Sequence, residues 1–396
     1  MNKKFKLIFS PNIFTGIWDL LTKYLPVYLW VNITHQDEQC WLFCERPNEA
    51  RDSGYTLFKW LRKNHPDLNV VYAIHKNAID YANVKGLGRV IEYGSFRHWY
   101  YYFASSVCCD SFARMCCPNS MTYLMIRNVL PPRGKRVFLQ HGITKDNMPQ
   151  LSKQSLHADI FVCGALPEWE FINTNFGYTN GEVKYLGLPR FDRLYDTSDK
   201  VSGKKILYMP TWRANLLKDR DFERSRYFQK IKEVLTNREL RNILVRNDIE
   251  LIYFLHPTFR DKKRWFEPFA NDRIKVLNND DYDLQKLICS ANLLVTDFSS
   301  IYFDFAYLGK PVIYYHFDYQ QFRKMHYSEG YFNYERDGFG PVVHDLQALV
   351  EGINSIVADD FNVPHDFSHR VDRFFSLRDR NNCLRCYEAI CELEKK

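Results

Sequence analysis

Four short apolar segments of the chain are each followed at once by side chains that can hold phosphate or move a proton. His141-Gly142 follows 136–140, Pro210–Arg213 follows 205–209, His256-Pro257 follows 250–255, and Asp297–Ser300 follows 293–296. Arginine offers a planar fork for phosphate oxygens, and histidine changes its charge near neutral pH. This inventory predicts a site for phosphate chemistry.

The segment Asp297–Ser300 carries the most informative local signal. Ser299 and Ser300 precede a predicted helix over 301–308. A helix N-terminus presents N–H groups and a positive dipole end, so it can bind phosphate. Asp304 lies one turn into this helix, where it can accept hydrogen bonds from a ribose or glycerol hydroxyl. Helix capping without a ligand is the alternative interpretation.

The two histidines and the arginine suit different tasks in such a reaction. His141 can take a proton from an acceptor hydroxyl, and Gly142 beside it lets a substrate approach the backbone closely. Pro257 keeps His256 extended at its strand end, from where it can stabilise a leaving phosphate. Arg213 can bind phosphate oxygens with its planar fork. A structural histidine, a turn and a surface arginine are the respective alternatives.

The strand ends must lie on sheets, and the pattern of the chain predicts them. Short β-rich apolar runs alternate with longer helical patterns, which indicates parallel α/β sheets. The runs are 40–44, 69–74, 89–91, 107–109, 136–140, 160–163, 183–186, 205–209, 250–255, 274–277, 293–296 and 312–315. Ligands of such sheets bind beyond the carboxyl ends of the strands. We therefore predict an α/β protein with two doubly wound Rossmann-type domains that face each other across a cleft.

A polar, turn-rich stretch near residues 190–204 separates the two sets of strands. It predicts four parts of the chain: an N-terminal segment over 1–35, one α/β domain over 36–195, a second over 196–364, and a helical tail over 365–396 that can cross back to the first domain.

The N-terminal segment is apolar but contains no window long and uncharged enough to span a membrane. Residues 13–30 instead form an aromatic-rich amphipathic stretch with basic neighbours Lys3, Lys4, Lys6 and Lys23. Such a stretch can lie among the headgroups of an anionic membrane surface. A helix packed on the body of the protein is the alternative interpretation.

Composition and the missing motifs exclude several classes of protein. The net charge of +7 suits an anionic partner, but acids are interleaved with the basic residues, so we expect no nucleic-acid partner. Eleven scattered cysteines indicate buried thiols, and their spacing does not predict a zinc site. Motifs of ATP, dinucleotide, zinc-protease and serine-hydrolase sites are missing. The sequence requires no cofactor, leaves a divalent metal open, and does not fix the oligomeric state.

An ordered set of motifs resembles a known family, the CDP-glycerol glycerophosphotransferases that prime and polymerise teichoic acids and related capsular polymers. The motifs are Glu45–Gly54, Phe138–Gly142, Met209–Arg213, His256-Pro257, Thr296–Ser300, and Phe303–Ala306 with Lys310-Pro311. The similarity runs from about residue 40 to near the C-terminus. It implies a GT-B-like fold, a CDP-alditol donor, release of CMP, a lipid-linked or polymeric acceptor, and a peripheral location on the cytoplasmic face of the membrane.

The resemblance also implies roles for particular residues. His141 would be the catalytic base on the acceptor side, over 36–195. His256, Arg213, Ser299 and Ser300 would be ligands of the donor phosphates. The same donor site, over 196–364, would include Thr296, Asp297 and Asp304.

Two departures from the family pattern bear on this reading. Phe298 replaces a frequent tyrosine, and Ile143–Asp146 replaces the Thr-Pro-Leu-Lys of typical polymerases. We expect the second loop to face the acceptor side, so it leaves the acceptor open, and a primer-type transferase is as compatible as a polymerase. Three alternatives remain at this point: another CDP-alditol such as CDP-ribitol, a GT-B glycosyltransferase that uses a nucleotide sugar, and a non-catalytic binding protein that uses the positive charge.

Overall fold

The structure is a computed structural model that describes residues 11–34, 38–126, 129–217, 222–325 and 328–395. Residues 1–10 and 35 of the predicted N-terminal segment, with Lys3, Lys4 and Lys6, lie outside the described residues. The chain divides into two compact units. The first unit comprises 1–141, 149–193 and 379–396, and the second comprises 142–148 and 194–378.

The first unit is built on a parallel sheet of seven strands. They are β1 (Glu38–Cys44), β2 (Val70–Ile74), β3 (Arg89–Glu92), β4 (Ser105–Asp110), β5 (Lys135–Phe138), β6 (Ile160–Cys163) and β7 (Val183–Tyr185). Their order is β3-β2-β1-β4-β5-β6-β7. The central strands are apolar along most of their length because helices cover both faces of a doubly wound sheet.

Nine helices belong to the first unit in the described part of the chain. They are α1 (Pro11–Asp19), α2 (Leu25–Ile33), α3 (Ser53–Asn64), α4 (Tyr81–Val84), α5 (Phe96–Ala104), α6 (Ser120–Ile126), α7 (Lys153–Leu156), α8 (Leu166–Asn175) and, at the C-terminus, Asn382–Glu394. A π-helical turn, Leu20–Tyr24, joins α1 to α2. Polar side chains start two of these helices: Asp52 accepts from the Ser53 N–H, and the Ser95 hydroxyl accepts from the His98 N–H.

The second unit is built on a parallel sheet of six strands. They are β8 (Lys204–Met209), β9 (Ile249–Phe254), β10 (Ile274–Leu277), β11 (Leu293–Thr296), β12 (Val312–Tyr315) and β13 (Val342–Val343), in the order β10-β9-β8-β11-β12-β13. The sheet lies in a core rich in aliphatic and aromatic side chains, to which the surrounding helices contribute.

The helices of the second unit alternate with its strands. They are α9 (Arg226–Leu235), α10 (Arg238–Arg246), α11 (Lys263–Phe266), α12 (Leu284–Ser290), α13 (Ile301–Tyr307), α14 (Tyr319–Met325), α15 (Tyr334–Asp337), α16 (Leu346–Ala358) and α17 (His365–Phe374). The C-terminal helix Asn382–Glu394 of the first unit is therefore α18. The predicted tail over 365–396 is divided, because α17 belongs to the second unit and α18 to the first.

Each sheet has one point where its strand order reverses. It lies between β1 and β4 in the first unit and between β8 and β11 in the second. Loops that leave the carboxyl ends of these two strand pairs diverge and leave a crevice, which is where ligands of doubly wound sheets bind. All twelve predicted strands are confirmed within two residues at each end, and the prediction of two doubly wound parallel sheets is correct. The two-residue strand β13 was not predicted.

The N-terminal segment is helical in its described part. Gly16 is required where α1 meets α6, since a Cβ there would lie 2.7 Å from the Met121 Cβ. The Thr122 hydroxyl donates to the Gly16 carbonyl at 3.0 Å. Within the described ranges, no helix is both long and apolar enough to cross a membrane.

Candidate active site

His141 stands on a strained turn at the end of β5. Gln140, just before it, has φ of +56°, a left-handed conformation that costs a non-glycine residue roughly 1–2 kcal/mol. The buried Gln140 amide donates to the Val162 carbonyl at 2.9 Å and to the Glu168 carboxylate at 3.0 Å. These bonds to β6 and α8 hold the turn, so the position of His141 is fixed by groups that are distant in sequence.

The hydrogen bond of His141 determines which ring nitrogen can accept a proton. Nδ1 lies 3.3 Å from the carbonyl oxygen of Ser111, which follows β4. Because a carbonyl only accepts, Nδ1 carries the hydrogen and Nε2 keeps its lone pair. The ring also stacks on Phe112, with centroids 4.7 Å apart and planes 18° from parallel. The imidazole is therefore oriented as a base by a backbone group.

The pKa of His141 is lowered to about 4. Protein groups packed around the ring reduce its hydration although the residue is exposed, and the positive charge of Arg46 disfavours the imidazolium further. His141 is thus uncharged at neutral pH, which is the state a proton acceptor needs. A bound anion next to the ring would raise this pKa again and strengthen the base.

A buried carboxylate organises the loop after β1. Glu45 is 2% exposed and accepts hydrogen bonds from the N–H groups of Arg51, Asp52 and Tyr55 at 2.7–3.0 Å. Burial and the nearby Asp52 raise the pKa of Glu45 to about 8. Glu45, eight residues before α3, thus accepts hydrogen bonds from the N–H groups at the start of that helix.

The loop after β1 is joined to the residue after β4. The Gly54 N–H donates to the Ser111 hydroxyl at 2.8 Å, and Ser111 is also the residue whose carbonyl orients His141. A Cβ at position 54 would lie 3.0 Å from the Cys44 carbonyl, so glycine permits this approach. Ser111 therefore links the loop after β1 to His141 by two hydrogen bonds, one through its hydroxyl and one through its carbonyl.

In the second unit, Arg213 is buried between two carboxylates and is 2% exposed. Its Nε and Nη2 donate to the two oxygens of Asp318 at 2.8 and 2.7 Å, and Nη2 also donates to Asp297 at 2.8 Å. Nη1 donates to the Thr211 carbonyl at 2.5 Å. Arg213 was predicted to bind donor phosphate, but its planar fork is directed at protein carboxylates.

Asp297 and Thr296 connect β8 to β11 across the second reversal point. One oxygen of Asp297 accepts from the N–H groups of Thr211 and Phe298, at 2.7 and 2.5 Å. The Thr296 hydroxyl donates to the Met209 carbonyl at 2.7 Å. Both side chains are fully buried, so these two predicted donor-site residues act on the positions of the loops.

Ser299 and Ser300 are the accessible residues of the motif Thr296–Ser300. Ser299 is half-buried and Ser300 is exposed. Ser300 is the N-cap of α13, but its hydroxyl makes no capping hydrogen bond, and it would lie 3.5 Å from a Cβ at Gly142. Asp304 is 3% exposed, inside the unit. Ser299 and Ser300, rather than Asp304, can therefore meet a ligand directly.

His256 occupies the predicted strand end after β9. Its ψ of 141° is extended, as Pro257 predicts, and a 3₁₀ segment follows at Pro257–Lys262. Its Nδ1 accepts from the Thr258 N–H at 3.2 Å, which places the hydrogen on Nε2. The half-buried ring lies beside Trp212, with centroids 6.1 Å apart. His256 can thus present an N–H group to an anion.

The loop after His141, which we expect to face the acceptor side, belongs to the second unit. Lys145 is 8% exposed and donates to Asp146 at 2.6 Å. Arg323 also donates to Asp146, at 2.9 Å, and the Asn147 N–H donates to the Ser328 carbonyl. Burial lowers the pKa of Lys145, which the Asp146 carboxylate opposes. The polar contacts of this loop are with the segment around α14.

The sequence model of the family described as CDP-glycerol:poly(glycerophosphate) glycerophosphotransferase matches residues 27–392, nearly the whole chain. The chain belongs to this family. Every motif that carried the resemblance lies within the matched region.

Relatives of this glycerophosphotransferase-family chain act in teichoic acid synthesis. It is 31% identical over 370 residues to the minor teichoic acid biosynthesis protein GgaB of Bacillus subtilis (strain 168), covering 89% of this chain and 40% of GgaB. It is 23% identical to the teichoic acid poly(glycerol phosphate) polymerase of the same organism, covering 85% of this chain and 46% of the polymerase. The chain thus spans less than half the length of these two relatives.

Solved structures share the fold of this family member. A variant of the wall teichoic acid polymerase TagF has a TM-score of 0.71 and 15% identity, covering 98% of each chain. A UDP-N-acetylglucosamine 2-epimerase described as putative, from Listeria monocytogenes, has a TM-score of 0.55 and 12% identity, covering 90% of this chain and 96% of that one. The prediction of a GT-B-like α/β architecture is confirmed.

Within the described residues, no group of three or more histidine, cysteine, aspartate or glutamate side chains is placed to hold a metal ion.

The sequence did not predict the residues that hold His141 in this glycerophosphotransferase-family chain. They are Glu45, Ser111 and Phe112. The resemblance included Glu45–Gly54 but gave it no role. A glutamate directly after an apolar strand and before a helix was the available signal.

Proposed function

We propose that this chain transfers glycerol phosphate from CDP-glycerol to a hydroxyl of a cell-surface polymer or of its lipid-linked precursor, with release of CMP. Family membership supports the reaction class. The observation that carries the proposal is the bond from Nδ1 of His141 to the Ser111 carbonyl, because it leaves Nε2 of an uncharged imidazole to accept a proton. A TagF structure obtained after a 15-minute soak with CDPG has the same fold, with a TM-score of 0.69.

The proposed reaction is an in-line displacement at the phosphorus that bears glycerol. Nε2 of His141 takes the proton of the acceptor hydroxyl, and the hydroxyl oxygen forms the new bond to phosphorus. The bond from that phosphorus to the bridging oxygen breaks, and CMP leaves with the bonding electron pair. Such reactions depend mainly on positioning and on stabilising charge.

The second unit supplies the donor side in this proposal. His256 directs its Nε2 hydrogen towards the leaving phosphate, and the hydroxyls of Ser299 and Ser300 bind donor oxygens. Arg213, Asp297 and Thr296 hold the loops that carry these groups, because their side chains are buried in contacts with protein. In this proposal Arg213 is a positioning residue, and the phosphate-binding role expected from the sequence stays a prediction. Asp304 is buried in the first turn of α13, and its predicted place in the donor site stays a prediction.

The donor is tested by nucleotide release. Purified protein is incubated with CDP-glycerol, CDP-ribitol or UDP-glucose and a lipid-linked acceptor fraction, and CMP and UDP are quantified. We expect CMP from CDP-glycerol. CMP from CDP-ribitol alone would change the alditol and keep the reaction class. UDP from UDP-glucose without CMP from either alditol would instead indicate a glycosyltransferase and contradict the proposal.

An anionic membrane surface is the proposed location, on the cytoplasmic face where the acceptor would be anchored. Large apolar side chains recur at helical spacing along the N-terminal segment and are exposed: Phe14, Ile17, Trp18 and Leu21, with Trp18 67% and Leu21 60% accessible. An outward apolar stripe is typical of helices that lie in the headgroup region. The other side of this segment packs on the body of the first unit, where the buried Gly16 meets α6, so the stripe is left on the outside.

Replacing Trp18 and Leu21 with serine is expected to weaken binding to vesicles of phosphatidylglycerol and phosphatidylcholine by at least about tenfold, because two large apolar side chains no longer enter the lipid. Co-sedimentation measures the bound fraction. Ile79→Ser, at a site 82% exposed in the same unit, is the matched control. Equal binding of the double variant and the unaltered protein would contradict this surface.

A further inference from the structure

Two arginines of the first unit lie close to His141 and have no part in the reaction described above. The guanidinium of Arg46, directly after Glu45, lies 4.4 Å above the centre of the Phe112 ring, and Phe112 stacks in turn on His141. A guanidinium stacked on an aromatic ring keeps its N–H groups in its own plane, so it can still hold phosphate oxygens at its edge.

Arg190 approaches from a different part of the same unit. It lies in the 3₁₀ segment Pro189–Arg193, and its Nε is 3.9 Å from the Asp52 carboxylate in the loop after β1. Arg46 and Arg190 both lower the pKa of His141, so both charges act at the ring. Arg46 is thus separated from the proposed base by one stacked ring, and Arg190 lies beside the loop after β1 that carries Arg46.

Three carboxylates lie near these arginines, and the one nearest to Arg190 is Asp52, 3.9 Å from its Nε. The oxygens of Glu45 accept from the N–H groups of Arg51, Asp52 and Tyr55, so this carboxyl is occupied by backbone donors. Glu49 pairs with Arg46 at 3.2 Å, but that pair is exposed and worth at most about 1 kcal/mol. Arg193 adds a further cation through its bond to the Arg51 carbonyl. Glu49 is a weak competitor that an anionic ligand can replace.

We propose that Arg46 and Arg190 bind a phosphate group of the acceptor, beside the hydroxyl that His141 deprotonates. This inference rests on the proposed function and deepens it, because it makes the acceptor an anion rather than a neutral sugar. The bound group is either a phosphodiester of the polymer or the pyrophosphate of a lipid carrier. Phosphate bound here also places negative charge next to the imidazole, which favours proton transfer to Nε2.

The test measures acceptor binding without turnover. The probes are tri(glycerol phosphate), geranyl pyrophosphate and neutral glycerol, titrated calorimetrically into the unaltered protein and into Arg46→Gln, Arg190→Gln and the double variant. We expect the dissociation constant of one phosphate probe to rise roughly 10- to 100-fold in each single variant, since a charge-assisted hydrogen-bonded contact is lost. The probe that responds distinguishes polymer from lipid carrier. Arg97→Gln, at an exposed position of α5, is the matched control.

Arg46→Lys keeps the charge and loses the planar fork, so it should recover only part of the affinity. An unchanged dissociation constant for both phosphate probes in the double variant, or equal weakening in Arg97→Gln, would overturn the inference. The affinity for CDP-glycerol and the thermal midpoint of each variant separate this result from misfolding. Failure of the proposed function would show differently: the unaltered protein would release no CMP, while the arginine-dependent binding of the phosphate probe persisted.

Discussion

Replacing His141 with alanine is expected to lower kcat by ~10²–10⁴-fold and to leave the affinity for CDP-glycerol nearly unchanged. The loss follows because alanine offers no proton acceptor at the position of Nε2, which the Ser111 carbonyl fixes through Nδ1. Affinity for the donor is kept because the groups proposed to hold it lie in the second unit. The measurements are CMP release at saturating acceptor and calorimetric titration with CDP-glycerol.

His141→Asn refines this experiment. An asparagine amide can donate to the Ser111 carbonyl as Nδ1 does, yet it cannot take a proton. We expect it to fold like the unaltered protein and to be as inactive as the alanine variant. His369→Ala, which changes an exposed histidine of α17, should keep full activity. Activity within a few-fold of normal in both His141 variants would show that the base is another group.

The pH profile supplies a second readout of the same assignment. The base must be uncharged, so activity is lost as the pH falls through the pKa of His141, which the reduced hydration of the ring and the charge of Arg46 lower to about 4. The acid limb of kcat/KM, which reports the free enzyme, should therefore lie well below the ordinary histidine value of about 6.5. Arg46→Gln removes a positive charge and should move this limb to higher pH. A limb that stays in place would mean that another group titrates.

The strands could be predicted from sequence because each buried strand of a doubly wound sheet is a short apolar run between helical patterns. Ligands of such sheets bind beyond the carboxyl ends of the strands, so the sequence also predicts that His141 and His256 lie at strand ends. Strand β13 was missed since two residues, Val342–Val343, carry no periodicity. Local pattern thus predicts which elements form and where their ends lie.

Contacts between distant residues could not be predicted in this way. Asp318, which holds Arg213, lies 105 residues further along the chain, and nothing in either segment indicates the pairing. The attachment of the loop after His141 to the second unit likewise depends on Arg323. A side chain that holds a loop and a side chain that binds a ligand look the same in sequence. Whether a residue contacts protein or ligand depends on its burial, which is decided by contacts between distant residues.

Replacing Arg213 with alanine is expected to destabilise the second unit by about 3–5 kcal/mol, because it leaves two buried carboxylates without their cation. Asp297 would then hold the N–H groups of Thr211 and Phe298 beside an unbalanced charge. Hydrogen exchange resolves the effect by unit: peptides that cover 204–213 and 293–300 should exchange faster, while those of the first unit remain unchanged. Arg241→Ala, whose pair with Asp272 is exposed, is the matched control.

A charge-neutral version of the network decides between a positioning role and the phosphate-binding role predicted from sequence. In Arg213→Met with Asp297→Asn and Asp318→Asn, no buried charge is left unbalanced, and the amide oxygen introduced at position 297 can still accept from the Thr211 N–H. We expect most of the lost stability to return. If Arg213 only positions the loops, the affinity for CDP-glycerol returns with it. A variant that is as stable as the unaltered protein but binds CDP-glycerol at least about tenfold more weakly would show that the guanidinium itself meets the donor phosphates, which requires it to leave Asp318 when the donor binds.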